Sequence, residues 1–217
     1  MTMNHEADLL QALPAVTEAE LSALRDHLPA VTDAELAALR DRLAARADAE
    51  GVLDVAYRTL DTPVGTLLLA ATEAGLVRVA YPVEGHDQVL QALAARISPR
   101  VLRAPGRLDA AAREIDEYFA GQRRAFDLPL DYRLATGFRR QVLAHLPGIG
   151  YGNTASYATV AAAVGSPRAF RAVGTACATN PLPVVLPCHR VIKSDGDLGN
   201  YRGGPAAKQL LLNLEAA

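Results

Sequence analysis

Apolar positions along the 217-residue chain change their period twice, which divides it into three blocks. In residues 1–50, Leu21, Leu24 and Leu28 recur at helical spacing, and Leu36, Leu39 and Leu43 repeat the pattern. Both sets belong to a tandem duplication. Residues 13–27 (LPAVTEAELSALRDH) and 28–42 (LPAVTDAELAALRDR) agree at twelve of fifteen positions. Each copy carries a capping box, Thr17 with Glu20 and Thr32 with Glu35, and predicts a short amphipathic helix. The two helices are expected to break near Pro29. Two such units are too few and too short for a solenoid, so the segment reads as a packing appendage or protein-binding arm.

In residues 51–132 the period shortens. Stretches 52–59, 65–71 and 76–81 are aliphatic and β-branched, punctuated by Pro63, Gly65 and Gly75, and predict an antiparallel meander. Helical periodicity returns over 86–97 and 107–120. Residues 133–217 are mostly helical. Helices are expected over 137–146 and 156–164, then a turn at Gly165-Ser166-Pro167, then a helix starting at Pro167 and ending near Ala178. Helix, tight turn, helix is the helix-turn-helix pattern. The fold class is therefore α+β: an acidic helical extension, a small domain of antiparallel sheet plus helices, and a helical, winged-helix-like C-terminal domain.

Composition and charge sharpen this picture. Half the residues are hydrophobic, which excludes wholesale disorder. No apolar run approaches the ~18 residues needed to cross a membrane, and the N-terminus lacks a secretory pattern, so a cytoplasmic setting is expected. The net charge of −2 conceals an asymmetry: from Arg133 onward nine lysines and arginines face three acids, a net +6 against −8 for the rest. A basic half suits a polyanion such as nucleic acid. The first fifty residues, with four arginines against ten acids, do not.

The candidate chemistry sits in PLPVVLPCHRV, residues 181–191. Three prolines in seven residues bar a helix and place Cys188 in a rigid, extended frame before His189 and Arg190. These cations can lower a thiol pKa. Alternation along an extended segment makes a direct Cys188–His189 hydrogen bond awkward and a bridging water better suited. Glu215, one of only three acids in this half, can orient His189, and Asn180 can hold a turn. Residue types alone leave three readings of Cys188 open: a buried structural cysteine, a zinc ligand with Cys177 and His189, or a nucleophile. Asp195-Gly196-Asp197 lacks a calcium-loop glutamate and reads as a turn. No catalytic cluster is visible in residues 51–132.

The longer string PCHRVIKSDGDLGNYRGG (187–204) resembles the active-site signature of the O6-alkylguanine-DNA alkyltransferases. The likeness extends through Ser156-Tyr157, Arg171-Ala172-Val173-Gly174, Asn180-Pro181, Asn200-Tyr201, Gly203-Gly204 and Glu215 without a gap, and is weaker over 52–130. The resemblance implies irreversible, single-turnover transfer of the alkyl group from O6-alkylguanine in double-stranded DNA to Cys188. It implies that His189 acts through a water, Glu215 orients His189, Asn180 braces the turn and Tyr157 donates toward the guanine ring. It implies a flipped base, with Arg171 filling the gap and Ala172 and Gly174 letting the second helix lie in the minor groove. Val191, Tyr201 and Arg202 would line the base pocket.

Some positions depart from the family pattern. Gly150 replaces a common proline, Arg202 a serine, and the duplicated arm lies outside the pattern. Zinc-binding members use N-terminal cysteines, and none precedes Cys177, so no metal and no cofactor are expected. A small Gly203 at the pocket rim would admit bulky substituents. A monomer is expected. The alternative to repair is an alkylation-damage sensor or regulator that binds DNA and signals through partners.

Overall fold

The computed structural model describes Thr17, Glu18 and residues 32–216. Apart from Thr17 and Glu18, the helix expected over the first repeat copy, with Glu20 of its capping box and the break near Pro29, lies outside these residues. The chain divides into two compact units, Met1–Leu39 and Arg40–Ala217.

Helix α1 spans Asp33–Ala49. Its capping box forms as the sequence predicts. The Thr32 amide donates to Glu35 Oε2 at 2.9 Å, and Thr32 Oγ1 accepts from the Glu35 amide at 3.2 Å. In the second unit, Ala44 and Ala47 on α1 are buried in the core, so that unit starts at Arg40 rather than at residue 51.

Four strands, β1 (Val55–Leu60), β2 (Leu67–Thr72), β3 (Gly75–Ala80) and β4 (Val101–Arg103), form a sheet in the order β3-β2-β1-β4. The first three make the expected antiparallel meander. The sheet as a whole is mixed, because β4 pairs with β1 in parallel, Val55 opposite Val101. A three-residue strand shows no alternation, which is why its sequence did not announce it.

Strands β2 and β3 are buried at every position. Successive side chains point to opposite faces. Leu67, Leu69 and Ala71 therefore enter one cluster with Ile115 and Tyr118, while Leu68 and Ala70 enter another with Val89 and Leu93. Helix α2 (His86–Arg96) supplies the second cluster, and α3 (Asp109–Phe119) supplies the first. Helix α3 starts at Asp109 rather than 107, behind a 3₁₀ turn over Pro105–Leu108.

The C-terminal block holds α4 (Gly137–His145), α5 (Tyr157–Ala163), α6 (Phe170–Ala178) and α7 (Gly204–Ala216), with a two-residue parallel pair, β5 (Ala155–Ser156) and β6 (Val191–Ile192). Ser156 Oγ caps α5 by accepting from the Thr159 amide. Pro167 does not open α6. Residues 166–169 close a turn, with the Ala169 amide on Ser166 O at 2.8 Å, and α6 starts at Phe170. Proline's fixed φ suits the second position of such a turn as well as a helix start.

The two blocks share one core. Leu69 and Tyr118 cluster with Leu143, Val160, Val173 and Leu211. Among the described residues no helix is long and apolar enough to cross a membrane.

Candidate active site

Cys188 opens a 3₁₀ turn, Cys188–Arg190, rather than lying in an extended segment. The prolines do exclude an α-helix, but the chain between them folds back on itself. The Leu186 amide bonds Leu182 O at 2.8 Å, and Val184 is held at φ 72°. A β-branched residue there costs on the order of 1–3 kcal/mol, tolerated only when its surroundings over-determine it.

Asn180, fully buried, supplies that determination. Its Oδ1 accepts from the Leu182 amide at 2.9 Å, and its Nδ2 donates to Leu186 O at 2.9 Å and to Cys188 Sγ at 3.1 Å. One amide thus clamps the turn and touches the thiol.

Helix α7 carries Lys208, Leu211 and Glu215 on its buried face. The Glu215 carboxylate receives five hydrogen bonds. Oε1 accepts from Tyr118 Oη at 2.6 Å and Arg190 Nη2 at 3.0 Å, and lies 2.8 Å from His189 Nε2. Oε2 accepts from Arg190 Nε at 2.8 Å and the Gly152 amide at 3.3 Å. Burial alone would raise the Glu215 pKa, but the bonds from His189, Arg190 and Tyr118 hold it down at about 2. The group is therefore an acceptor only, and the proton in the His189–Glu215 bond belongs to Nε2.

Burial lowers the His189 pKa against the pull of Glu215, so the ring is neutral near pH 7. A neutral ring protonated at Nε2 has a bare lone pair on Nδ1. That atom is buried and bonds no other group among the described residues.

Burial pushes the Cys188 thiol up to about 11, opposed by the Asn180 hydrogen bond and by the charges of Lys208 and Arg202. The cations facing the sulfur are thus not its sequence neighbours His189 and Arg190, as the sequence suggested. His189 is neutral, and Arg190 is committed to Glu215 and to Ile149 O at 2.5 Å. Lys208 is fully buried, and its Nζ donates to Val191 O at 2.6 Å and to Leu198 O. Sequence reasoning missed Lys208, although its seven-residue spacing from Glu215 puts both on one helix face.

It also missed the contribution of the sheet block. Tyr118 reaches Glu215, and Tyr81 Oη lies 2.9 Å from Tyr201 Oη. Glu84 pairs with both Arg78 and Arg202, and Arg78 Nη1 donates to Pro181 O at 3.1 Å. Arg202 is thereby turned to Glu84, on a cavity of about 600 Å³ that Cys188 does not line. A side chain at Gly203 would meet the Tyr81 ring at 2.7 Å, so the glycine admits Tyr81 rather than leaving room at a pocket rim.

Tyr157 opens α5, half-buried. Burial first, then the charges of Cys177, Cys188 and Asp197, push its hydroxyl up to about 12, so it remains a donor. Arg171 and Ala172 lie exposed on α6. Gly174 instead turns its open side to the Tyr157 ring, where a Cβ would sit at 3.9 Å. Val191 is buried in β6, and Tyr201 is buried with its hydroxyl on that of Tyr81, so neither side chain is exposed. Residues 193–197 form the expected turn, with the Lys193 amide on Asp197 O at 2.8 Å. No three His, Cys, Asp or Glu side chains among the described residues are grouped to hold a metal.

Gly152 lies at φ 74°, and a Cβ there would come within 2.8 Å of Glu215 O. Gly152→Ala is expected to cost about 1–3 kcal/mol, read as a lower denaturant midpoint at unchanged slope.

This geometry has close relatives. Residues 55–132 match the family model of the 6-O-methylguanine DNA methyltransferase ribonuclease-like domain, and residues 137–217 match that of its DNA binding domain. A methylated-DNA–protein-cysteine methyltransferase from Methanosarcina barkeri is 37% identical, covering 73% of this chain and 96% of its own. The constitutive enzyme of that name from Bacillus subtilis is 39% identical, covering 73% and 94%. The crystal structure of Mycobacterium tuberculosis OGT in complex with DNA superposes with a TM-score of 0.66 at 37% identity, covering 74% of this chain and 92% of that one. The chain belongs to the 6-O-methylguanine DNA methyltransferase family.

Proposed function

We propose that the protein repairs DNA by transferring the alkyl group of O6-alkylguanine in duplex DNA to Cys188, once per molecule. The observation that carries this reading is the state of His189. Glu215 fixes its tautomer and leaves the Nδ1 lone pair unpaired on the residue next to a buried thiol. A base so arranged can take the thiol proton through one bridging water.

The thiolate then attacks the alkyl carbon in line. The S–C bond forms, the C–O6 bond breaks, and the electron pair passes to the guanine. Tyr157, held protonated, donates toward the ring as that charge develops. Lys208 stabilises the thiolate before attack. The thioether does not turn over, so the protein is consumed.

The target carbon is shielded inside the duplex, so the base must leave the stack. The exposed face of α6, with Arg171 and Ala172, is the surface we assign to the minor groove. Val191 and the 201–202 backbone would flank the flipped base. Two free cysteines fit a reducing, cytoplasmic setting, and the protein is read as a monomer without metal or cofactor. The relatives are named for methyl transfer, which favours repair over a sensor or regulator role.

Purified protein mixed with duplex DNA containing one O6-methylguanine is expected to gain one methyl mass on the Cys188 peptide, saturating at one per molecule. No gain, or a gain on another residue, overturns the reading.

A further inference from the structure

Helix α6 begins with two adjacent exposed side chains of opposite character. Phe170 is 46% exposed, although every other phenylalanine in the chain is half-buried against the core. The Arg171 guanidinium lies over its ring at 5.7 Å. The neighbours on the outward face are small or hydroxylic, Ala172, Thr175 and Ala178, and are exposed as well. Gly165 at φ 74° and the 166–169 turn present this helix start on a short, tight corner. The surrounding block carries the net +6 of the chain, so a polyanion is the partner its charge favours.

A lone exposed apolar side chain on a protein surface is ordinary. Phe170 differs because of what holds it. The Arg171 guanidinium sits over the ring at the tip of a helix whose other exposed residues, Ala172, Thr175 and Ala178, are small or hydroxylic. Aromatic and apolar side chains placed this way in the minor groove enter between base steps. Stacking on a base needs no sequence match, because every base has a π-face.

We infer that Phe170 is a second DNA-contacting residue, which stacks on the base next to the extruded guanine while Arg171 fills the vacated position. This rests on the repair reading above. It assigns to the ring a role that charge alone cannot supply: holding the duplex open at the lesion. Arg171 contributes an ionic contact, which salt screens, and Phe170 contributes an apolar one, which salt does not.

The test compares Phe170→Ala, Phe170→Trp and Arg171→Ala with the unaltered protein. Single-turnover rate constants are measured on duplex O6-methylguanine DNA and on the free base O6-benzylguanine, which needs no flipping. Phe170→Ala is expected to lower the ratio of the duplex to the free-base rate constant about tenfold, the size of a typical base–aromatic stack. Phe170→Trp should restore it. The salt slope of duplex binding should be unchanged by Phe170→Ala and shallower by about 1 for Arg171→Ala. A ratio within twofold of the unaltered protein, or loss in the tryptophan variant equal to that in alanine, overturns the inference. If the unaltered protein transfers from the free base but not from DNA, the inference and the assignment of α6 to DNA fall together. If it transfers from neither, the repair reading itself fails.

Discussion

Cys188→Ala is expected to abolish alkyl gain while the protein still folds and binds duplex DNA. The sulfur accepts from the amide that clamps the turn, and the next residue carries the unpaired Nδ1 that the proposed reaction uses as its base. Cys177 is no substitute. It is buried on α6, its thiol is pushed well above the usual range chiefly by burial, and no base is bonded to it. Folding should persist because Asn180 Nδ2 retains Leu186 O and its Oδ1 retains the Leu182 amide. The measurement is intact mass after incubation with duplex O6-methylguanine DNA, beside a binding titration on the same duplex. Continued loss of methyl from the DNA would remove Cys188 from the chemistry, and absent binding would show that its role is structural.

Glu215→Gln is the second large effect, and it reaches stability and reaction together. The carboxylate holds the buried Arg190 through two bonds. A neutral amide leaves that guanidinium uncompensated, and breaking a buried pair in this way costs about 3–5 kcal/mol. The amide can also offer its own N–H to His189, freeing the ring to take the other tautomer and lose the Nδ1 lone pair. The rate should therefore fall even at temperatures where the variant is folded.

The pH dependence has a definite sign. Glu215 is depressed from the ordinary 4.5 to about 2, so its contribution is fully present above pH 4.5 and lost as pH falls toward 2. His189 is depressed below 6.5, so the unfolded chain takes up its proton more readily, and stability is undiminished above 6.5 and eroded as pH falls below it. Urea midpoints measured from pH 7 to pH 3 should fall for the unaltered protein and approach those of Glu215→Gln toward the acid end. Parallel curves would show that Glu215 does not titrate as the bonds around it require.

The long periodic elements were legible in the chain. Helices α2 and α4 and the three-strand meander lie within a few residues of where periodicity put them, because amphipathic spacing is a direct record of which side is buried. The motif around Cys188 was legible because its residues lie close together in sequence. What escaped was long-range. Tyr118 is 97 positions from Glu215, and nothing in either segment announces the bond. Tyr81 and Tyr201 are 120 apart. The extended frame expected for Cys188 failed for a related reason. Prolines report which conformations are forbidden, while the fold-back of 180–188 is imposed by one buried amide. Lys208 was the recoverable omission, since a cation in an apolar helical stretch at the spacing of a buried acid is visible on inspection.

The Tyr118–Glu215 bond has a consequence for recombination. One half of it belongs to the sheet block and the other to the block that carries the cysteine, so the boundary between the two matched segments is not a free exchange point. A chimera that joins residues 133–217 to a sheet block from a distant relative would inherit every residue of the reactive string and still lack a donor on the carboxylate. Grafting would succeed only with donors that bring a hydroxylated aromatic to that place, and a phenylalanine there should act as a silent incompatibility, harmless in its own protein and damaging in the hybrid.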